Sequence, residues 1–369
     1  MPGPRRILVR GVNWLGDAVM STPALLRLRE ALPAAHIALL TPAKLEDLWT
    51  GHPALNAFET FSDGDGAWRV GRKLRAGKFD TGLILPNSPR SALELWLAGI
   101  PERIGKGGNW RGGFLTKMVP DRSKVVVMKK RSVAEINRLI QSGAPAASPP
   151  PRESHHLYHY LHLAAALGAN PEPVAPKLAV ADSAVQAFAA KFGVRPQSTA
   201  PLLGLNPGAE YGAAKRWPAE RFIAAAIELQ RRLNGRWLIF GVQADADLAG
   251  RIAAAIEQAV GKAAVLNLAG QTSLGELCAG LKVCRAVLTN DSGPMHVAAA
   301  LGTPVVVPFG STSPELTGPG LPGDPRHQLL RANVPCSPCF RRECPIDFRC
   351  MTGITVEQVV VAIAKTLKG

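Results

Sequence analysis

The sequence predicts an α/β protein built from two doubly wound domains, and three observations carry that prediction. Short apolar runs of strand length alternate with stretches of helical period, in the repeated order strand, loop, helix. That order restarts near residue 180. The length of 369 residues, at 47% hydrophobic content, suits two cores of ordinary size better than one. The expected partition is residues 1–180 and 181–369, with the last helix free to pack back on the first domain.

In the first half, RILVRGV (6–12) reads as a buried strand, NWLGDA as the loop after it, and MSTPALLRLREAL as an amphipathic helix. HIALLTP with KLEDLWTG, and TGLILPN with SPRSALELWLAG, repeat the unit and so describe an open parallel sheet. SGAPAASPPPR (142–152) has too much Pro, Ala and Ser to build a core and reads as a surface excursion, after which HHLYHYLHLAAALG is helical in pattern. The second series runs PLLGLNPG, ERFIAAAIELQRRL, RWLIFGV, LGELCAGLKVC, RAVLTND, GPMHVAAALG and TPVVVPFG, alternating strand and helix. In sheets of this kind ligands bind beyond the carboxyl ends of the strands, where the loops around Asp17, Lys215 and Asp291 fall, and two such halves are expected to face each other across a cleft.

A net charge of +15 and a pI near 9.9 call for an anionic partner: nucleic acid, an anionic membrane surface or an acidic substrate. MPGPRRILVRGV holds too short an apolar stretch for a signal peptide, and no run of about 18 apolar residues is present to span a bilayer, so the expected location is cytoplasmic. Of the six cysteines, Cys336, Cys339, Cys344 and Cys350 crowd together. In a reducing compartment that crowding favours thiols or a metal over structural disulfides. The spacing suits zinc or an iron–sulfur centre, with free thiols or adventitious disulfides as the alternative.

Three loops carry candidate chemistry. In NPGAEYGAAKRWP (206–218), Pro207 ends a strand, Gly208 and Gly212 let the backbone turn and expose amides, and Lys215 stands before a helix whose first turn suits Pro218. Amides at a helix N-terminus beside a lysine form an anion site suited to phosphate; an exposed basic loop is the plain alternative. In TNDSGPMHVAAALGTPVVV (289–307), Asp291 or Ser292 can cap the helix that Gly293 begins, or the same loop can hold a phosphate, with His296 meeting it or merely packing. In NWLGDAVMSTPAL (13–25), Gly16 permits a tight turn, and Asp17 is either a good helix-start residue or a general base for a hydroxyl nucleophile.

These stretches, together with LPNSPRSALELWLAGIPERIG and NLAGQTSLGELCAGL, stand in an order and spacing that resembles the ADP-heptose:lipopolysaccharide heptosyltransferases of glycosyltransferase family nine, most closely their heptosyltransferase II branch. The resemblance covers nearly the whole chain and implies a GT-B fold. It implies an inverting displacement at the anomeric carbon of ADP-L-glycero-D-manno-heptose by a hydroxyl of the first inner-core heptose, with no cofactor needed for the chemistry and any zinc at the cysteines structural. By that resemblance Asp17 is the base and Lys215 holds the donor phosphates. Asp291, Ser292, Gly293 and His296 hold heptose and diphosphate beside the Gly208 loop, Asp245 is the nearest match to an acid on the ribose, and Thr272 lies where adenine is approached. Arg90 sits where relatives carry Lys or Arg toward the acceptor, with Arg103 and Arg111 as further candidates.

The implied acceptor is Kdo-bearing lipid A, an anion on an anionic surface, which accounts for the basic charge without nucleic acid and places the enzyme at the cytoplasmic face of the inner membrane. Two alternatives remain at this level: a family member with another inner-core acceptor, such as heptosyltransferase I, and a basic nucleotide- or nucleic-acid-binding module. The latter lacks a basic helix, zinc finger or RNA-binding aromatic signature.

Overall fold

The computed structural model describes residues 5–108, 110–123, 125–143, 145–196 and 200–368. The chain divides into two compact units, Met1–Val125 with Glu153–Ala179, and Val126–Arg152 with Val180–Gly369.

The first unit is a six-stranded parallel sheet in the order β3-β2-β1-β4-β5-β6. Its strands are β1 (Arg6–Arg10), β2 (His36–Pro42), β3 (Ala57–Phe61), β4 (Thr81–Ile84), β5 (Glu102–Lys106) and β6 (Lys117–Val119). Ile7 pairs with Ile37 on one side of β1 and with Thr81 on the other. Because parallel strands are covered on both faces, the inner ones read as unbroken apolar runs, and Ile7, Leu8 and Val9 are all fully buried. Helices α1 (Leu15–Ala31), α2 (Ala67–Leu74) and α3 (Pro89–Leu97) supply the crossovers. Beyond α4 (Val133–Gln141), which lies in the second unit, α5 (Leu157–Ala165) returns to the first and packs on α1.

The second unit repeats the plan with β7 (Leu202–Asn206), β8 (Arg236–Ile239), β9 (Val265–Asn267), β10 (Ala286–Thr289), β11 (Val305–Phe309) and β12 (Gln328–Arg331), in the order β12-β11-β10-β7-β8-β9. Read from β9, this is the strand order of the first sheet. Its helices are α6 (Asp182–Phe192), α7 (Ala219–Leu233), α8 (Ala246–Val260), α9 (Leu274–Val283), α10 (Gly293–Ala300), the short α11 (Pro314–Thr317) and α12 (Arg349–Thr352), and α13 (Val356–Thr366). A Ser273–Glu276 capping box starts α9, satisfying two otherwise orphaned amides. In both sheets the order reverses at one place, between β1 and β4 and between β7 and β10, and a crevice opens there at the carboxyl ends of the strands.

Several expectations are corrected. Residues 126–152 belong with the second unit rather than with 1–125, because Arg131 donates its amide to the Cys339 carbonyl at 3.0 Å and Ile136 packs on Cys336 and Cys339. Val359, Val360 and Ile363 of α13 join the core that the second unit forms with α7. Only Asn13 and Trp14 of NWLGDA are loop, since α1 begins at Leu15 and takes Gly16 and Asp17 into its first turn. Pro23 lies inside α1, where it cannot donate to the Val19 carbonyl; the Thr22 hydroxyl donates to that oxygen at 2.8 Å instead. Pro218 caps α7 from outside rather than entering its first turn.

A buried histidine in each unit makes the fold acid-sensitive. His52 and His327 accept backbone N–H bonds at Nδ1, from Ala54 at 3.3 Å and Val305 at 3.4 Å, so neither can take a proton there without losing that bond. Burial pushes each down to about 4 from 6.5. Between those values the unfolded chain takes up protons that the folded chain refuses, so stability falls as pH drops from about 6.5 to about 4. Thermal melts across this window are expected to show a falling Tm; a flat Tm would contradict the assignment.

Candidate active site

Asp17 stands at the switch point of the first sheet, in the first turn of the helix that follows β1. It does not cap that helix. Trp14 is the N-cap residue and makes no side-chain capping bond, whereas Asp17 Oδ1 accepts the Tyr160 hydroxyl at 2.9 Å. His156 Nδ1 lies 3.6 Å from the same oxygen, and its ring stacks on Tyr160 at 5.3 Å. Burial holds the His156 imidazole below its ordinary range, against the raising influence of Asp17, so a neutral ring flanks the carboxylate. The arrangement suits proton transfer: a carboxylate, 27% exposed, aligned by a neighbouring helix.

The switch point of the second sheet joins the other two loops. Lys215 Nζ and Asp291 Oδ2 form an ion pair of 2.7 Å, with the side chains 13% and 4% exposed. Thr312 donates its hydroxyl to the same carboxylate oxygen, and the lysine lies 4.7 Å from the Tyr211 ring centroid. Asn290 binds the loops together: Oδ1 accepts the Trp217 amide at 2.9 Å and Nδ2 donates to the Pro207 carbonyl at 2.7 Å. Asn206 Nδ2 donates to Ser292 Oγ at 3.2 Å. Ser292 is the N-cap residue of α10 yet makes no side-chain capping bond, so neither Asp291 nor Ser292 is spent as a cap. Gly293 opens the helix, and the dipole and unpaired amides of such an end favour an anion. His296 is buried one turn further in.

The two loop glycines serve close approach. A Cβ on Gly208 would meet Asp245 Oδ2 at 2.1 Å, and one on Gly212 (φ 151°) would meet the Arg342 carbonyl at 2.4 Å. Asp245 thus lies against the Gly208 loop, with Arg216 3.5 Å away. Thr272 lies half-buried just before the cap of α9.

Of the three arginines expected on an acceptor surface, Arg111 is buried, Arg103 half-buried and Arg90 exposed. Arg103 donates its guanidinium to the carbonyls of Ile100, Pro101 and Phe114, bracing β5. Arg111 is fully buried against Gly105 and donates to the Pro86 carbonyl, and burial lowers its pKa. Only Arg90 is substantially exposed, at 44%, and even it is bound to buried Glu94 at 2.9 Å, the carboxylate that also holds Arg10 at 2.7 Å. Cys336, Cys339, Cys344 and Cys350 line one small pocket with Ile136, Gly310 and Ile346. All are free thiols, and among the described residues no three His, Cys, Asp or Glu side chains are placed to hold a metal. Burial first, then the neighbouring thiols, push Cys350 up to about 12.

Tyr160 and His156 beside Asp17, and Tyr211 and Thr312 beside the Lys215–Asp291 pair, carry no sequence signal that singles them out. Tyr160 reaches its partner from 143 residues away and Thr312 from 21, so no local pattern marks those two, whereas Tyr211 lies in the same loop as Lys215.

Two six-stranded sheets of this order, with a carboxylate at one switch point and a lysine–aspartate pair at the other, have the architecture of GT-B glycosyltransferases. The model of glycosyltransferase family 9 (heptosyltransferase) matches residues 67–348, and the chain belongs to that family. Over 322 residues it is 33% identical to the lipopolysaccharide heptosyltransferase 2 of Salmonella typhimurium, covering 85% of each chain. The same-named protein of Escherichia coli is 32% identical over 323 residues, again covering 85% of each. A solved structure of E. coli ADP-heptose LPS heptosyltransferase II superposes with a TM-score of 0.75 at 28% identity, covering 98% of both chains.

Proposed function

We propose that this protein transfers L-glycero-D-manno-heptose from ADP-heptose to the first heptose of the lipopolysaccharide inner core, with inversion. The observation that supports it most is positional: four of the five ordered blocks that resemble the family follow β1, β4, β7 and β10, the strands that flank the two switch points where this fold binds ligands. Asp17 takes the proton of the acceptor hydroxyl as its oxygen attacks the anomeric carbon and the bond to the diphosphate breaks. Lys215 and the amides at the start of α10 offset the charge growing on the leaving ADP, with Asp291 holding the lysine in place and Ser292 and His296 beside it. Asp245 and Thr272 serve the nucleoside, and Arg90 the anionic acceptor.

No described helix is long and apolar enough to cross a membrane. The acceptor is lipid-anchored, so the enzyme works at the cytoplasmic face of the inner membrane, where a net charge of +15 favours anionic lipid. The test offers ADP-heptose with Kdo-lipid A and with its mono-heptosylated form. Turnover is expected on the second; turnover confined to the first moves the protein to the branch that adds the first heptose.

A further inference from the structure

A carboxylate acting as base must present one oxygen to the incoming hydroxyl, and an unrestrained aspartate rotates freely about its last bond. Here Oδ1 is occupied, accepting the Tyr160 hydroxyl at 2.9 Å with His156 Nδ1 3.6 Å away, whereas Oδ2 has no hydrogen-bond partner among the described residues. Tyr160 is itself held: it is 3% exposed on α5, which packs along α1, and its ring is stacked on His156 with 14° between the planes.

We propose that Tyr160 is a positioning residue for heptosyl transfer, anchoring Asp17 Oδ1 so that Oδ2 faces the acceptor hydroxyl and takes its proton. This rests on the reading of Asp17 as the base. In the step, the acceptor O–H bond breaks and its proton goes to Oδ2. The oxygen's electron pair forms the new bond to the anomeric carbon, and the old carbon–oxygen pair leaves with ADP. The Tyr160 proton stays on Tyr160. Burial, and after it the Asp17 charge, hold that phenol well above its usual 10, so it remains a donor throughout the working pH range. A buried tyrosine needs a partner for its hydroxyl. Here the partner is the single acidic side chain in the first turn of α1.

The test is a cycle of four proteins: wild type, Tyr160→Phe, Asp17→Asn and the double variant, each measured for kcat, for KM with ADP-heptose and for Tm as a check on folding. Phenylalanine keeps the ring on His156 and removes only the hydroxyl. A hydrogen bond to a charged group corresponds to about a ten- to a hundred-fold fall in kcat, with KM for the donor unchanged. In the Asp17→Asn background the same replacement is expected to cost nothing further, because the carboxylate it would align is gone. An unchanged kcat in Tyr160→Phe, or an equal loss in both backgrounds, overturns the proposal and leaves Tyr160 a packing residue. Full turnover in Asp17→Asn alone defeats the base assignment instead, a separate outcome.

Discussion

Replacing Asp17 with alanine is expected to remove heptosyl transfer while leaving ADP binding nearly intact. A neutral alcohol is a poor nucleophile until its proton is leaving, and loss of a general base typically costs about 10²–10⁴ in rate. The fold should survive. Asp17 makes no capping bond, so α1 loses only the favourable placement of an acid near its N-terminus, about 0.3–1 kcal/mol. The Tyr160 hydroxyl loses its acceptor, a second modest cost. ADP binding is spared because the groups assigned to the nucleotide all lie in the second unit. Turnover measured as ADP release, beside ADP affinity by calorimetry, separates the two effects; near-normal turnover between mildly acid and mildly basic pH counts decisively against the role.

Lys215→Ala is expected to weaken the donor and also to destabilise the second unit. Its ammonium is the partner of Asp291, whose side chain is only 4% exposed. Removing one member of a buried pair leaves an uncompensated charge, at a cost of about 3–5 kcal/mol, whereas removing both charges together is far milder. The double variant Lys215→Ala with Asp291→Asn should therefore regain most of the lost Tm. It should not regain donor affinity, since the cation that meets the diphosphate is still missing. The pairing also explains how a lysine can serve both ends: before the donor binds, Asp291 and the face of Tyr211 hold it at the mouth of α10. Recovery of ADP-heptose affinity in the double variant would assign Lys215 to the fold alone.

Much of the architecture was legible because its signals are local. The runs RILVR, HIALLTP, TGLI, LLGLN, AVLT and VVVPF each carry a consecutive apolar stretch, as strands covered on both faces do, and each is a strand in the structure. Helix starts were less legible. Nothing in NWLGDA shows that Gly16 and Asp17 are already helical, because Trp14 enters the helix without a side-chain cap. Arg103 and Arg111 read as surface charge, yet half-buried Arg103 donates to the Ile100, Pro101 and Phe114 carbonyls, and buried Arg111 donates one hydrogen bond to the Pro86 carbonyl. Arginine allows this: its long apolar stem carries five donors into places a sequence pattern would label exposed.

By itself, the sequence determined the α/β class, the two series of strands and helices, and which loops carry Asp17, Lys215 and Asp291. These follow from hydrophobic period and from residue types at short spacing, which neighbouring residues settle among themselves. Only the tertiary structure decided that both sheets share one strand order, that 126–152 and the last helix belong to the second unit, and that Asp17 faces Tyr160 rather than its own helix. The physical reason is range: strand order, ion pairs such as Lys215–Asp291 and the aligned carboxylate depend on groups tens of residues apart, brought together only when the core closes.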